Sequence, residues 1–235
     1  HHAGFGILRG LDHHHHAHAR FLSAATDGGC DENLRAGAQL RRKRRALAVD
    51  AVPDDLLPGV LKIARFGYDG KGQARVATRA EIKDAFHALK SERCVLERFL
   101  PLDLEVSVVL ARTQDGEARC FPVAENRHKN GILDVSIVPA RVDDRLRAEA
   151  EELALGVALH LGYVGVLGVE MFVSEGRLLL NEIAPRPHNS GHVTRSACVP
   201  SQYEALARVL LGIPLPSAGS RLLGAPGTWC MGNLL

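Results

Sequence analysis

The sequence lacks the features that mark several large classes of protein. No apolar run approaches the ~18 residues that a membrane-spanning helix needs. The formal net charge is only +2 over 235 residues, so neither nucleic acid nor a membrane surface is an expected partner. The five cysteines contain no CxxC pair, so we predict neither a zinc site nor a disulfide framework, and we expect a reducing, cytoplasmic setting.

The first part of the chain differs from the rest in composition. Seven of the twelve histidines fall in the first eighteen residues, and the basic run Arg41–Arg45 follows them. We interpret residues 1–53 as an atypical segment, either disordered or the product of a shifted reading frame. A metal-binding histidine tract and a basic arm for nucleic acid are the alternatives. The basic run has no interleaved aromatic residues, which gives the second alternative little support.

From Asp54 onward the pattern becomes regular and predicts an α+β domain with mostly antiparallel strands. The predicted strands are 60–66, 74–77, 94–100, 104–111, 118–123, 165–173 and 177–183. Capping boxes or apolar spacing predict helices over 78–90, 143–161 and 201–211. In the last helix we expect Tyr203, Leu206 and Leu210 to face inward.

A glycine-rich segment, Gly67–Gln73 (GYDGKGQ), lies between two predicted strands. Glycine lets bare backbone N–H groups approach phosphate oxygens, and a lysine adds positive charge, although the same pattern also forms plain turns. Lys62 lies inside the preceding apolar strand. A lysine in that position either reaches water from a sheet edge or meets an anion.

Two glutamates, Glu170 and Glu182, stand in largely apolar strands late in the sequence. A buried carboxylate without a partner is costly, so such residues usually bind a cation or pair with a base. If the two strands are antiparallel neighbours, the carboxylates could converge on Mg²⁺, which prefers hard oxygen ligands. The alternative is a pair of surface glutamates in salt bridges.

The segment after Glu182 carries the densest set of polar side chains, with two prolines that stiffen its backbone. Arg186 suits bidentate binding of a carboxylate, bicarbonate or phosphate. Asn189, Ser190 and His192 could position a polar small molecule. The alternative is a structural loop that caps a helix.

These motifs closely resemble the N5-carboxyaminoimidazole ribonucleotide synthase family, the ATP-grasp carboxylases of purine biosynthesis. The resemblance runs from about Leu57 to Leu235 and rests on Lys62, Gly67–Gln73, Glu97–Leu100, Glu105–Ser107, Asn181–His192 and Ser201–Glu204. It implies an ATP-grasp core over residues 54–212, built from two antiparallel-sheet α+β subdomains with ATP between them. Residues 213–235 resemble the start of a C-terminal domain.

The resemblance also implies a role for each matched position. The residues expected to bind ATP fall into a strand lysine, a loop, an adenine hinge and four further positions. They are Lys62, the loop Gly67, Tyr68, Asp69, Gly70, Lys71, Gly72 and Gln73, the adenine hinge Glu97, Arg98, Phe99 and Leu100, and Glu105, His128, Asn181 and Glu182. Glu170 and Glu182 are expected to hold Mg²⁺. Arg186 and Lys71 are the expected catalytic residues, and Arg186, Asn189, Ser190 and His192 the expected substrate contacts.

The implied reaction is the ATP-dependent carboxylation of 5-aminoimidazole ribonucleotide. Bicarbonate attacks the γ-phosphoryl group to give carboxyphosphate, which delivers CO₂ to the exocyclic amine. The products are N5-carboxyaminoimidazole ribonucleotide, ADP and phosphate, and the family is typically a homodimer.

Both flanks depart from the family pattern. The family has an N-terminal Rossmann-like domain that residues 1–53 do not resemble, and its C-terminal domain extends beyond the part matched by 213–235. From this we expect weak Mg–ATP binding, and turnover that is poor or absent. The alternatives are a non-catalytic ATP-grasp fragment that only binds nucleotide, or another ATP-grasp ligase such as formate-dependent phosphoribosylglycinamide transferase.

Overall fold

The structure is a computed structural model. It describes residues 9–10, 52–64, 72–90, 94–129, 131–217, 221–223 and 227–233. The predictions for Gly67 to Lys71, for Arg41–Arg45 and for almost all of residues 1–53 lie outside this description. Within it, every helix is too short or too polar to cross a membrane.

The predicted α+β character is confirmed, because every strand pairing in the described residues is antiparallel. The strands are β1 Arg9–Gly10, β2 Gly59–Ile63, β3 Gln73–Val76, β4 Cys94–Arg98, β5 Leu104–Arg112, β6 Ala118–Cys120, β7 Ala124–Lys129, β8 Ile132–Val138, β9 Gly165–Ser174, β10 Arg177–Ala184, β11 Cys198–Val199, β12 Arg221–Leu222 and β13 Trp229–Gly232. The helices are α1 Arg79–Ala88, α2 Asp144–His160, α3 Thr194–Ala197 and α4 Gln202–Leu211, with 3-10 turns at Asp54–Leu56 and Asn189–Gly191.

The described residues divide into two compact units. The first extends to Pro101 and also takes in residues 131–132; the second contains the rest. In the first unit a four-stranded sheet has the order β1-β4-β2-β3. Helix α1 begins where Thr78 accepts a hydrogen bond from the Glu81 N–H, and its buried Ile82 joins the apolar cluster under the sheet.

The second unit is built on one large sheet with the order β10-β9-β5-β7-β8-β13, and β6 pairs with β5. Almost all of β9 is buried, so both faces of the sheet are covered there. Helix α2 contacts β5, β6, β9 and β10, and helix α4 contacts β5 and β9. The long hairpin β9–β10 turns at Glu175 and Gly176, as the sequence predicts.

The prediction for the inward face of helix α4 was wrong in part. Tyr203 is 42% exposed and Leu210 74% exposed, whereas Gln202 and Ala205 are buried. The buried face is rotated by about one residue, or 100°, toward Ala205, which packs in the core, and Gln202, whose amide bonds the loop at His188. Leu206 packs against the core as predicted. The polar strand β7 and the largely apolar strand β8 were not predicted.

Candidate functional site

A β-bulge brings the two predicted metal ligands together. On β9 and β10 Leu180 pairs with Met171, but the next pair is Glu182 with Glu170, so Asn181 is an extra residue. A bulge sets two residues opposite one, so both Asn181 and Glu182 oppose Glu170. Without it Glu182 would face the other side of the sheet. The Asn181 amide nitrogen lies 3.4 Å from Oε2 of Glu170.

The environment of Glu170 disfavours a negative charge. Burial raises the pKa of this carboxyl to about 7, and the neighbouring Glu182 carboxylate pushes in the same direction. A divalent cation would relieve both effects. The described residues contain no group of three or more His, Cys, Asp or Glu that would form a complete cage. The pair fits Mg²⁺, which commonly takes one or two carboxylates and draws its other ligands from phosphates and water.

Further polar side chains continue the same sheet face across β5 and β7. Ser107 pairs with Glu170, and Glu105 pairs with Asn126. Because side chains alternate along a strand, Glu105 and Ser107 share a face with Glu170. Nδ1 of His128 lies 2.8 Å from Oε2 of Glu105. Burial opposes protonation of this imidazole most strongly, yet the hydrogen bond and charge of Glu105 raise the His128 pKa above its ordinary value.

His188 is a site residue to which the sequence assigned no role. Its ring lies over Gly168, where an added Cβ would come within 2.7 Å of the His188 Cβ, so this position on β9 leaves room only for glycine. Nε2 lies 3.3 Å from Oε1 of Glu170. Burial, reinforced by the charge of Arg186, lowers the pKa of His188 to about 4, so the ring is neutral near pH 7. The signal in the sequence was its place two residues after Arg186.

Helix α4 fixes the backbone of this loop through Gln202. The Gln202 side chain accepts from the His188 N–H at 3.0 Å and donates to the His188 carbonyl at 2.9 Å. A Cβ on Gly191 would lie 2.6 Å from the same amide oxygen, so glycine is needed for this close approach. The loop is therefore anchored on both sides of its backbone rather than held only by its prolines.

The predicted substrate contacts lie in different settings. Arg186 is exposed and donates to the Pro187 carbonyl at 3.0 Å. His192 is exposed and stacks on Tyr203, with ring centroids 6.2 Å apart. The side-chain Oδ1 of Asn189 accepts from the Ser190 N–H at 3.2 Å. Ser190 itself is only 1% exposed, and its hydroxyl lies 2.8 Å from Nδ1 of His188.

In the first unit the structure brings together Lys62 and Glu97. Strand β2 lies between β4 and β3, so Lys62 is not on a sheet edge. Its Nζ lies 2.5 Å from Oε2 of Glu97, and these side chains are 31% and 15% exposed. The following Phe99 donates its N–H to the Pro58 carbonyl at 2.8 Å, and the Arg75 guanidinium lies 4.7 Å from its ring centroid.

Comparisons with known proteins agree with these motifs. The ATP-grasp domain family matches residues 43–203. The N5-carboxyaminoimidazole ribonucleotide synthase of Bacillus subtilis (strain 168) is 47% identical over 186 residues, which are 79% of this chain and 48% of that protein.

Two solved structures have similar folds. The N5-carboxyaminoimidazole synthetase of Staphylococcus aureus, complexed with ADP, superposes with a TM-score of 0.70 at 37% identity, over 76% of this chain and 47% of that one. The N5-carboxyaminoimidazole synthase of Aspergillus clavatus, in complex with ADP and 5-aminoimidazole ribonucleotide, gives a TM-score of 0.63 at 34% identity, over 69% and 42%.

The chain thus spans about half the length of the proteins it matches. The family model covers more than half of the chain, and it includes both the Lys62–Glu97 pair and the carboxylates of the second unit. The resemblance expected from the motifs is confirmed, and the chain belongs to the ATP-grasp family.

Proposed function

We propose that this chain carries the ATP-dependent carboxylation of 5-aminoimidazole ribonucleotide. The carboxylate pair Glu170 and Glu182, set opposite each other by the Asn181 bulge, is the observation that carries this proposal. Arg186 and His188 lie in the loop that directly follows the strand of Glu182. Relatives named for this activity match the same stretch at 47% identity.

Glu170 and Glu182 would hold Mg²⁺ in this reaction. Their four oxygens are hard donors, and burial together with the Glu182 charge disfavours the ionised form of Glu170, a cost that a cation would offset. The bound ion would neutralise charge on the phosphate oxygens of ATP. Asn181 contributes by holding one Glu170 oxygen through its amide nitrogen.

We assign the nucleotide contacts as follows. Glu105 would accept hydrogen bonds from the ribose hydroxyls, and His128 would orient its carboxylate, as the 2.8 Å contact favours. Lys62 would bind the ATP phosphates, and its ion pair with Glu97 would weaken as it does so. The adenine would hydrogen-bond to the backbone of Glu97–Leu100. Lys71 and its glycine-rich loop would cover the phosphates, an assignment that rests on the sequence.

The carboxyl transfer needs a group that binds two anions in turn. Bicarbonate attacks the γ-phosphorus of ATP, ADP leaves, and the carboxyphosphate C–O bond then breaks as phosphate departs. The carboxyl carbon bonds to the exocyclic amine of the ribonucleotide, which loses a proton. The exposed Arg186 fork matches both bicarbonate and carboxyphosphate. Asn189 and His192 would contact the ribonucleotide. The buried Ser190 would act indirectly, through its hydrogen bond to His188.

The test is ADP release by the purified chain with Mg²⁺, measured with and without bicarbonate and 5-aminoimidazole ribonucleotide. Enzyme is used at a concentration close to that of ATP, so that a slow first turnover is still counted. We expect release that requires both co-substrates, with radiolabelled bicarbonate appearing in the imidazole product.

Two other results would replace the proposal. ADP release that is indifferent to the ribonucleotide, but is stimulated by a different amine or acid, would identify another ATP-grasp ligase. Mg–ATP binding without any release under these single-turnover conditions would identify a module that only binds nucleotide.

A further inference from the structure

A chain of buried hydrogen bonds runs beneath the carboxylate site and ends on His188. It consists of four residues, which we call the buried relay: Ser136 on β8, Asn126 on β7, Ser107 on β5 and Ser190 in the loop. All are at most 4% exposed. They are distant in sequence but adjacent in the fold, since Ser107 and Ser190 are 83 positions apart and their hydroxyl oxygens lie 2.7 Å apart.

The relay has a direction, because only one of its members has separate donor and acceptor atoms. The Asn126 oxygen accepts from Ser136 at 3.0 Å, and its amide nitrogen donates to Ser107 at 2.8 Å. Ser107 then has a single proton, which it gives to Ser190. If Ser107 donates to Ser190, the Ser190 proton is left for Nδ1 of His188, which lies 2.8 Å from the Ser190 hydroxyl oxygen.

The other end of the imidazole requires the same arrangement. If Nδ1 accepts a proton from Ser190, a neutral ring carries its own proton on Nε2. That nitrogen lies 3.3 Å from Oε1 of Glu170, and an ionised carboxylate there accepts from an N–H and repels a lone pair. The amide at one end and the carboxyl at the other therefore select the same tautomer.

We propose that Asn126, Ser107 and Ser190 are positioning residues that hold His188 as the Nε2-protonated tautomer facing Glu170. With His188 at Oε1 and Asn181 at Oε2, the Glu170 carboxylate is held through both oxygens. Its orientation toward Glu182 is then fixed before any ligand arrives. The catalytic consequence rests on the proposed function, whereas the tautomer itself does not.

The direct test is nitrogen NMR of the full chain labelled with ¹⁵N in the histidine rings. The His188 signals are assigned by their loss in His188→Gln. Near neutral pH we expect Nδ1 to resonate as an unprotonated, hydrogen-bonded nitrogen and Nε2 as a protonated one. A proton on Nδ1 in the unmodified chain would overturn the inference without any further variant.

Reversal of the relay is the sharper test. Asn126→Asp replaces the amide donor with an acceptor, so Ser107 must donate to it, Ser190 must donate to Ser107, and Nδ1 of His188 must donate to Ser190. We expect the Nδ1 signal to become that of a protonated nitrogen. An Nδ1 signal that stays unprotonated in the folded variant contradicts the relay.

Asn189→Asp is the matched control. It adds the same charge within the loop but outside the relay, and a carboxylate oxygen can still accept from the Ser190 N–H. The Nδ1 signal should stay where it is in the unmodified chain. If Asn189→Asp also protonates Nδ1, charge alone moves the proton and the relay is not its cause.

Ser190→Ala covers the case in which Asn126→Asp does not fold. Loss of the hydroxyl should shift Nδ1 to the position of a nitrogen without a hydrogen bond, and an unshifted signal contradicts the proposal. In the ADP-release assay, folded relay variants should lose about tenfold or more in kcat with little change in the KM for ATP. Failure of the proposed function would remove that activity from the unmodified chain but leave its NMR signature intact.

Discussion

Two carboxylates on one sheet, Glu125 and Glu170, lie in opposite electrostatic environments. Glu125 on β7 is 2% exposed and makes two hydrogen bonds to the Arg141 guanidinium, with Arg127 at 3.4 Å. The hydrogen bond from Arg141 lowers the pKa of Glu125 below its usual value. Glu170 on β9 instead faces Glu182, and burial raises its pKa to about 7.

We interpret this difference as that between a structural carboxylate, Glu125, and a carboxylate proposed to bind a cation, Glu170. Glu125 has its countercharge within the fold, so it stabilises the chain and needs no ligand. Glu170 is buried near the carboxylates of Glu182 and Glu105, so its ionised form is costly, and a bound cation would offset that cost. Perturbed groups of the second kind are typical of functional sites, where stability is given up for binding. The predictions below test this contrast.

The largest effect is expected when the binding carboxylate is neutralised. Glu170→Gln should lower the ADP release that depends on 5-aminoimidazole ribonucleotide by about a hundredfold or more. The substitution removes a proposed ligand of the Mg²⁺ ion that neutralises charge on the transferred phosphoryl group. Glu175→Gln, at the exposed tip of the same hairpin, is the control and should change the rate less than about twofold. Equal rates for Glu170→Gln and the unmodified chain would show that this carboxylate is not part of the site.

A second change makes the structural carboxylate resemble the binding one. Arg141→Met leaves Glu125 buried with only Arg127 nearby. We expect the midpoint of thermal unfolding to fall by about 5 to 10 °C, because a buried carboxylate has lost its main partner. The control Arg177→Met removes an exposed ion pair with Glu175 and should shift the midpoint by no more than about 2 °C. Similar shifts in both variants would refute the contrast.

The two carboxylates should also give opposite pH dependences of stability. The folded chain raises the Glu170 pKa from 4.5 to about 7, so this contribution to stability is full below pH 4.5 and is lost as pH rises through about 7. The loss corresponds to about 3 kcal/mol at about 1.4 kcal/mol per pH unit. Glu125 has a lowered pKa, so its contribution is present at neutral pH and is lost on acidification.

Urea unfolding without Mg²⁺ measures this difference. Glu170→Gln should remove most of the decrease in unfolding free energy between about pH 5 and about pH 8. The variant should then be more stable than the unmodified chain at the higher pH. A decrease that persists undiminished in Glu170→Gln would assign it to other groups.

The smallest expected effect concerns the support of His188. Gly168→Ala places a Cβ within 2.7 Å of the His188 Cβ, and it should cost about 1 to 3 kcal/mol while displacing the imidazole. Gly176→Ala has open space around it but a φ of +69°, and it should cost only about 1 kcal/mol. Urea unfolding ranks the two. A larger cost for Gly176→Ala would mean that His188 yields easily.

The sequence predicted the parts of the fold that local patterns encode. The caps at Thr78 and Ser201 start helices where expected, and the hairpin around Glu175 and Gly176 follows from its turn residues. Strand β7 was missed because Glu125 and its polar neighbours do not show the apolar alternation of a strand. The burial of such side chains depends on partners elsewhere in the chain.

The sequence predicted which residues form the candidate site and that Glu170 and Glu182 could converge, but not the bulge that brings them together. Glu170 and Glu182 were recognisable, yet their meeting depends on one extra residue, Asn181, that no local pattern marks as a bulge. The inward roles of Ser190 and His188 were equally hidden. They depend on a hydrogen bond between Ser190 and Ser107, which are 83 positions apart in the sequence and meet only in the folded chain.

The central claim is that the Glu170–Glu182 pair binds Mg²⁺ together with ATP. Equilibrium dialysis of ATP against the full chain, at saturating Mg²⁺ and with a chelator, tests it most directly. We predict that Mg²⁺ raises the affinity of the unmodified chain by about tenfold or more and that this gain is lost in Glu170→Gln and Glu182→Gln, while Glu175→Gln retains it. The same Mg²⁺-dependent gain in all four proteins would contradict the account.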